Sequence, residues 1–491
     1  MRAVVVFLVV VNFVAACAGV NIDGVDVRLE TLELAQRVAQ VEVEEKIQGL
    51  TFCGVEEFWT TAKVTHFDPL DTRTFQQKYY VNSEFYQPGG GTYLYVGAEG
   101  PLSASTACGG FWYDLAKENG ARLLAIEHRF YGESQPFAYL TTENLVFLSA
   151  THAMADIVSL VTNLKANNWT EPEPWIAFGG SYAGSVAAYL RLDYPHLFAG
   201  SVASSAPVEP EVDFTTYQRV GTAAAAKFRP KCMEFYTPMM LGIYTMIAKD
   251  PEEFQDIFNP CVPIVNDSKA AGSLEYLTFP DVGGYMQYYH VWEPQSQVYL
   301  DTFCDTLMAK ADEGPIAAFR YYLETYGYYI PEQGNNGTCL YNYFDGAVIY
   351  QKDLRALPFN YRSWFWQKCS MFGYFRTVPG SANNADYYRS VCTASYGTDV
   401  FPDEAFWDNY YGGWKNPETN IFFPNGGLDG WSSLSVLEKN VFRQGVGLVP
   451  DASHCEDMYG VQYEQTPGMT EMHDSIRAQV LLWIKEWNRR H

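Results

Sequence analysis

Short apolar runs, each closed by a Gly-rich or Pro-rich turn, mark the first two-fifths of the chain. Thr92-Tyr-Leu-Tyr-Val-Gly97 ends in the turn Ala98-Glu-Gly-Pro101, and Arg122-Leu-Leu-Ala-Ile-Glu127 ends in His128-Arg129. Trp175-Ile-Ala-Phe178 runs into Gly179-Gly180, and Phe198 to Ala203 follows a helical stretch that starts at Ser185. Between the runs lie segments with helical spacing, such as Ala150 to Val161. Buried strands alternating with helices predict an α/β fold around a parallel sheet. From about Phe214 to Phe406 the pattern changes, and Met, Tyr, Phe and Leu recur at helical spacing. Two more core strands are expected at Asn420–Pro424 and Gly445–Pro450. The chain closes on an amphipathic helix with Met472, Ile476, Val480, Ile484 and Trp487 on one face.

Within this pattern, Trp175 to Gly184 has the context of a nucleophile elbow: strand, sharp turn with Ser181 at its tip, helix. The crowded turn needs small neighbours, and Gly179, Gly180, Ala183 and Gly184 supply them. A serine hydroxyl is a poor nucleophile without a base to take its proton and a carboxylate to orient that base. In a doubly wound hydrolase these follow the serine in the order acid, then His. Asn425-Gly-Gly-Leu-Asp429 follows one late strand and Asp451-Ala-Ser-His454 the other, which makes Asp429 the candidate acid and His454 the candidate base. Asp451 is a rival acid. His128 is a rival base, but it precedes the serine, and its neighbours Glu127 and Arg129 suggest a structural ion-pair cluster. The oxyanion needs two N–H donors. Tyr182 supplies one from its backbone, and the loop Gly97, Ala98, Glu99, Gly100 is expected to supply the other, with the donor open. Glu99 either braces that loop or holds a substrate amine.

Length and composition bound the rest. The chain has 491 residues, 48% of them hydrophobic and 18% charged, which suits one large globular domain with insertions or two domains. A net charge of −24 argues against a nucleic-acid or anionic-membrane partner, because phosphate would repel it. Met1-Arg2, an apolar run to Val14 and the small residues Ala16-Cys-Ala18 read as a signal peptide over 1–18. With no later apolar run of membrane-spanning length, the mature protein is expected to be soluble, with no membrane partner. Residues 19–49 read as a helical pro-segment or a mobile N-terminus. Ten cysteines less Cys17 leave nine, six of them between 214 and 406, and a secreted chain should bridge most of them. Asn168, Asn266 and Asn336 head glycosylation sequons. No metal or organic cofactor is implied.

The landmarks together resemble the family of serine exopeptidases that holds prolylcarboxypeptidase, dipeptidyl peptidase II and thymus-specific serine protease. They are Gly97-Ala-Glu-Gly100, Glu127-His-Arg-Phe-Tyr-Gly-Glu-Ser134, Gly179-Gly-Ser-Tyr182, Ala203-Ser-Ser-Ala-Pro-Val208, Trp366-Gln-Lys-Cys-Ser-Met-Phe-Gly-Tyr374, Asn425-Gly-Gly-Leu-Asp429 and Ser453-His454. The resemblance implies an α/β-hydrolase fold in two parts, 50–213 and 407–491, with a helical, disulfide-stapled cap inserted at 214–406, between nucleophile and acid. It implies a Ser181–Asp429–His454 triad and hydrolysis of peptides beside proline near a terminus. It also implies a lysosomal or secreted location, and leaves a homodimer open. Its pairings are Cys53–Cys108, Cys232–Cys304, Cys261–Cys339 and Cys369–Cys392, with Cys455 left over as a buried thiol or an unusual bridge. Trp431 and the residue at Ser185 would wall the proline pocket. Ala183, Ser185, Ala98, Gly430 and Ser370-Met371 depart from the family pattern, which leaves substrate preference open. A lipase or carboxylesterase with the same triad, and a non-catalytic homologue, are the alternative readings.

Overall fold

The computed structural model describes residues 53–167, 169, 172–332, 337–357 and 361–490, with the short pieces 21–22 and 25–26. The expected signal peptide, the rest of segment 19–49, and the sequon residues Asn168 and Asn336 lie outside the described residues. Eight strands form the main sheet: β1 (Val55–Lys63), β2 (Thr74–Asn82), β3 (Thr92–Val96), β4 (Arg122–Ile126), β5 (Trp175–Gly180), β6 (Gly200–Ser204), β7 (Ile421–Gly426) and β8 (Gly445–Val449). Their spatial order is β8-β7-β6-β5-β3-β4-β2-β1. The six strands from β8 to β4 run parallel. β1 and β2 add an antiparallel edge.

Alternation along the central strands splits their side chains between two cores, as a period of two requires. Leu94, Val96, Leu124, Ile126, Trp175 and Ala177 face one core. There they meet α2 (Ala150–Asn167) and α3 (Tyr182–Asp193). Tyr93, Leu123, Ala125, Ile176 and Phe178 face the other. There they meet α1 (Phe111–Asn119) and the last helix, Met469–Asn488. That helix buries Met472, Ile476, Val480 and Ile484 as expected, and Trp483, rather than Trp487, is its deep aromatic anchor. Gly200 opens β6 where a Cβ would stand 2.3 Å from the Trp483 ring, so this close approach requires glycine. Helices on both faces of a mostly parallel sheet, with ligands expected at the strands' C-terminal ends, make this an α/β-hydrolase fold.

Between β6 and β7 the chain leaves the sheet. It builds α4 (Thr216–Phe228), α5 (Pro230–Lys249), α6 (Ser268–Thr278), α7 (Val282–Gln287), α8 (Pro294–Met308), α9 (Pro315–Thr325), α10 (Tyr361–Gln367) and α11 (Ala385–Tyr396), among shorter pieces. Met, Phe and Tyr side chains from α5, α7, α8 and α9 form a separate apolar core. Cys232–Cys304 ties α5 to α8 beside that core, Cys261–Cys339 joins a loop to a short strand, and Cys369–Cys392 ties α11 to the segment after α10. Cys53–Cys108 joins the approach to β1 to the loop before α1. Helix Glu404–Tyr411 spans residue 407, where the return to the hydrolase part was expected. Its Tyr411 ring stacks on Tyr189 of α3 at 3.6 Å. Among the described residues, no helix is long and apolar enough to cross a membrane.

Candidate active site

Ser181 sits between β5 and α3 at φ +58° and ψ −133°, a conformation that L side chains rarely adopt. Such strain persists only where the surroundings over-determine it, and here they do. The Ser181 N–H donates to the Ser204 carbonyl at the end of β6 (2.9 Å), and the Ser181 carbonyl accepts from the Ser185 N–H (3.1 Å). A Cβ on Gly179 would stand 2.1 Å from the Ala183 carbonyl oxygen, and one on Gly184 2.7 Å from that of Ser204. Ala183 itself is helical with ordinary φ, so its methyl is accommodated.

Asp429 and His454 come together from the loops after β7 and β8. The His454 Nδ1 lies 2.7 Å from Asp429 Oδ2, while Asp429 Oδ1 accepts the Trp431 N–H (2.9 Å). Asp429 is fully buried. The two loops are laced by backbone: Gly427 N–H to Val449 and Leu428 N–H to Ala452. The His454 loop in turn lies over the elbow. The Cys455 N–H donates to Ser205 Oγ (2.9 Å), one residue from the carbonyl that holds Ser181. A Cβ on Gly180 would collide with Met458 Sδ and Cys455 Sγ. Burial works against protonation of His454, yet the Asp429 charge and hydrogen bond, with Cys455 beside the ring, hold its pKa well above the ordinary value. Among the described residues Cys455 keeps a free, half-buried thiol.

The rivals stand elsewhere. Asp451 pairs with Lys227 on the surface (3.1 Å). His128 donates from Nδ1 to the Arg129 carbonyl (2.7 Å) and accepts the Tyr182 hydroxyl at Nε2 (3.0 Å). Burial pushes its pKa down to about 4, so it is a neutral brace under the elbow. Arg129 grips Asp156 through two hydrogen bonds, at 2.7 and 2.6 Å. Glu127 accepts backbone N–H groups from Leu102, Glu133 and Ser134. The Glu127-His-Arg landmark is thus a frame beneath the site.

Before Ser181 opens a small cleft. Glu99, Tyr182 and Trp431 line it, as do Gln287, Trp364 and Lys368 from the inserted helices. The Gly97 N–H is spent on the Ile126 carbonyl (2.9 Å), which leaves Ala98, Glu99 and Gly100 as candidates for the second expected oxyanion donor. Ser185 does not reach the cleft, contrary to the expectation that it lines a pocket. It is fully buried, and its hydroxyl donates to the Pro207 carbonyl (3.0 Å). Four cleft residues were not singled out from the sequence: Gln287, Tyr361, Trp364 and Arg376. Tyr361, Trp364 and Lys368 recur at helical spacing, a readable signal, but spacing alone does not say which face of a helix meets a cleft. Asn266, the one described sequon asparagine, is exposed.

Against known proteins, the model of the serine carboxypeptidase S28 family matches residues 62–476. The chain belongs to that family. It is 28% identical to mouse thymus-specific serine protease over 454 residues, 87% of each protein. It is 28% identical to mouse lysosomal Pro-X carboxypeptidase over 408 residues, 76% of this chain and 78% of that one. Human lysosomal Pro-X carboxypeptidase shares 38% identity over 180 residues, about a third of each chain. The protein is therefore a serine-type peptidase of the S28 family, built on an α/β-hydrolase sheet and stapled by disulfides.

Proposed function

We propose that this S28 member is an exopeptidase that hydrolyses peptides beside proline near a chain end, with Ser181, His454 and Asp429 as its triad. The observation that carries the reading is the 2.7 Å Asp429–His454 contact, in a loop hydrogen-bonded to the same strand end that holds the strained Ser181. His454 Nε2 takes the Ser181 proton as Oγ attacks the peptide carbonyl. Asp429 fixes the tautomer with Nδ1 protonated and stabilises the imidazolium that forms. The Tyr182 N–H and one N–H of the 98–100 loop receive the oxyanion. His454 then protonates the leaving amine, and water resolves the acyl-enzyme.

A charged peptide end suits the cleft better than a lipid chain does. Glu99, Lys368 and Arg376 all line it, and an apolar-walled groove would be expected of a lipase. Trp431 offers a flat face for a prolyl ring. The disulfides and the lysosomal relative support a secreted or lysosomal site of action. Peptides with proline at either penultimate position, with ends free or blocked, test the reading. Cleavage should need one free end, and blocking the other should be tolerated. Hydrolysis of doubly blocked peptides at internal bonds, or of esters alone, would overturn it.

A further inference from the structure

A buried polar network joins the peptide before His454 to the inserted helices. Glu456, 2% exposed, is its centre. Its Oε2 accepts the Ser453 N–H (2.8 Å) and the Ser453 hydroxyl (3.1 Å), and lies 3.3 Å from His290 Nδ1. Its Oε1 accepts the Trp292 indole N–H (3.1 Å) and the Thr466 hydroxyl. His290 Nδ1 also stands 2.9 Å from Ser453 Oγ. Burial alone would raise the Glu456 pKa, but the donors from His290, Ser453 and Thr466 more than offset it and hold the carboxyl below its ordinary value. Here a buried carboxylate is met by donors from three separate segments. Removing one segment leaves a desolvated charge short of partners, which is costly.

A second tie runs from the same region. The His454 N–H donates to the Gln287 carbonyl at the end of α7 (3.1 Å). The Gln287 side-chain oxygen accepts the Tyr217 hydroxyl (2.6 Å) and the Trp431 indole N–H (3.0 Å). His290 and Trp292 follow α7 by three and five residues. Segment 282–293 therefore grips the backbone of His454 directly, and the side chains of Ser453 and Glu456 beside it.

We propose that Glu456 and His290 are positioning residues that make the orientation of His454 depend on the docking of segment 282–293. The inserted helices then do more than wall the cleft: they complete the frame of the general base. The inference rests on the Ser181–His454–Asp429 reading. Its test compares His290→Ala, His290→Gln and Glu456→Gln with wild type. Each protein is titrated with a fluorophosphonate, and kcat is expressed per labelled Ser181. His290→Ala should lose at least tenfold in kcat and in labelling rate, with KM within twofold. Glu456→Gln should lose less. His290→Gln, which can still donate to Ser453, should recover most of the loss. A purely architectural network would lower the melting temperature or the labelled fraction and leave kcat per site unchanged. Wild-type kcat per site in both His290→Ala and Glu456→Gln would overturn the proposal. Failure of wild type to label would instead overturn the triad beneath it.

Discussion

Two parts of the cleft wall, the strand ends and the stretch that carries Trp364 and Lys368, are held by different physics. On the sheet side, Ser181, Asp429 and the Cys455 backbone are fixed by hydrogen bonds to strand ends or to neighbouring loops. On the helical side, Trp364 and Lys368 sit on one short helical stretch, and Lys368 lies among the rings of Phe365, Phe375 and Tyr388 at 5.2 to 5.9 Å. Hydrogen bonds to strand ends hold geometry to fractions of an ångström, which nucleophilic chemistry demands. Aromatic packing of side chains tolerates substitution better, which suits a surface that sorts substrates. The difference implies that chemistry and selectivity can be disturbed separately.

The sharpest way to break that comparison is on the sheet side. Asp429→Asn should keep the fold and lower kcat by roughly 10³–10⁴-fold, because the imidazole loses its oriented tautomer. A loss under tenfold, read by steady-state kinetics, would detach Asp429 from the chemistry.

Asp457 comes next, one turn beyond His454. It is buried, accepts the Ser204 hydroxyl (2.5 Å), and burial raises its pKa from 3.8 to about 6. A folded-state pKa above the unfolded one means that the native state holds the proton longer. Its stabilising contribution is present below about pH 4 and is lost as pH rises through about 6. The shift corresponds to about 3 kcal/mol across that window. Asp457→Asn, which carries no charge at any pH, should therefore gain on wild type in melting temperature between pH 4 and pH 7. Parallel melting curves across that range would contradict the assignment.

On the helical side the effects should be smaller and selective. Lys368→Met should change the ratio of kcat/KM for free and amidated peptides by about tenfold while a small fluorophosphonate labels Ser181 at the wild-type rate. An equal loss for both substrates would blur the division between the two sides. The smallest effect is expected at Cys455. Because Cys455 helps to raise the His454 pKa, Cys455→Ala should lower it. As the proposed base, His454 would act only when neutral, so activity should be lost as pH falls through its pKa. The acid limb of kcat/KM should move to lower pH in the variant, and an unmoved limb would remove Cys455 from the electrostatics of the site.

How much could be read from the sequence follows the same division. β3 to β7 are short buried runs because both faces are covered, β8 is a partly exposed edge strand that still reads as apolar, and Ser181, Asp429 and His454 each stand just after one of these strands. β1 and β2 were not singled out. Val55-Glu-Glu-Phe-Trp-Thr-Thr-Ala-Lys63 is an edge strand with mostly exposed residues and charges at both ends, which protects an edge but hides its pattern. Ser185 was misread because one position from a family pattern does not reveal whether a side chain faces the cleft or the Pro207 carbonyl. The Glu456–His290 network lies beyond sequence reading for a different reason. Its partners are 166 residues apart, and neither carries a local motif.

The most direct measurement is labelling of the wild-type protein with a fluorophosphonate, followed by peptide mapping, beside Ser181→Ala and His454→Gln. The account predicts a single adduct on the peptide that contains Gly179-Gly180-Ser181, abolished in Ser181→Ala and strongly slowed in His454→Gln. An unlabelled wild-type protein, or an adduct that survives in Ser181→Ala, would contradict it.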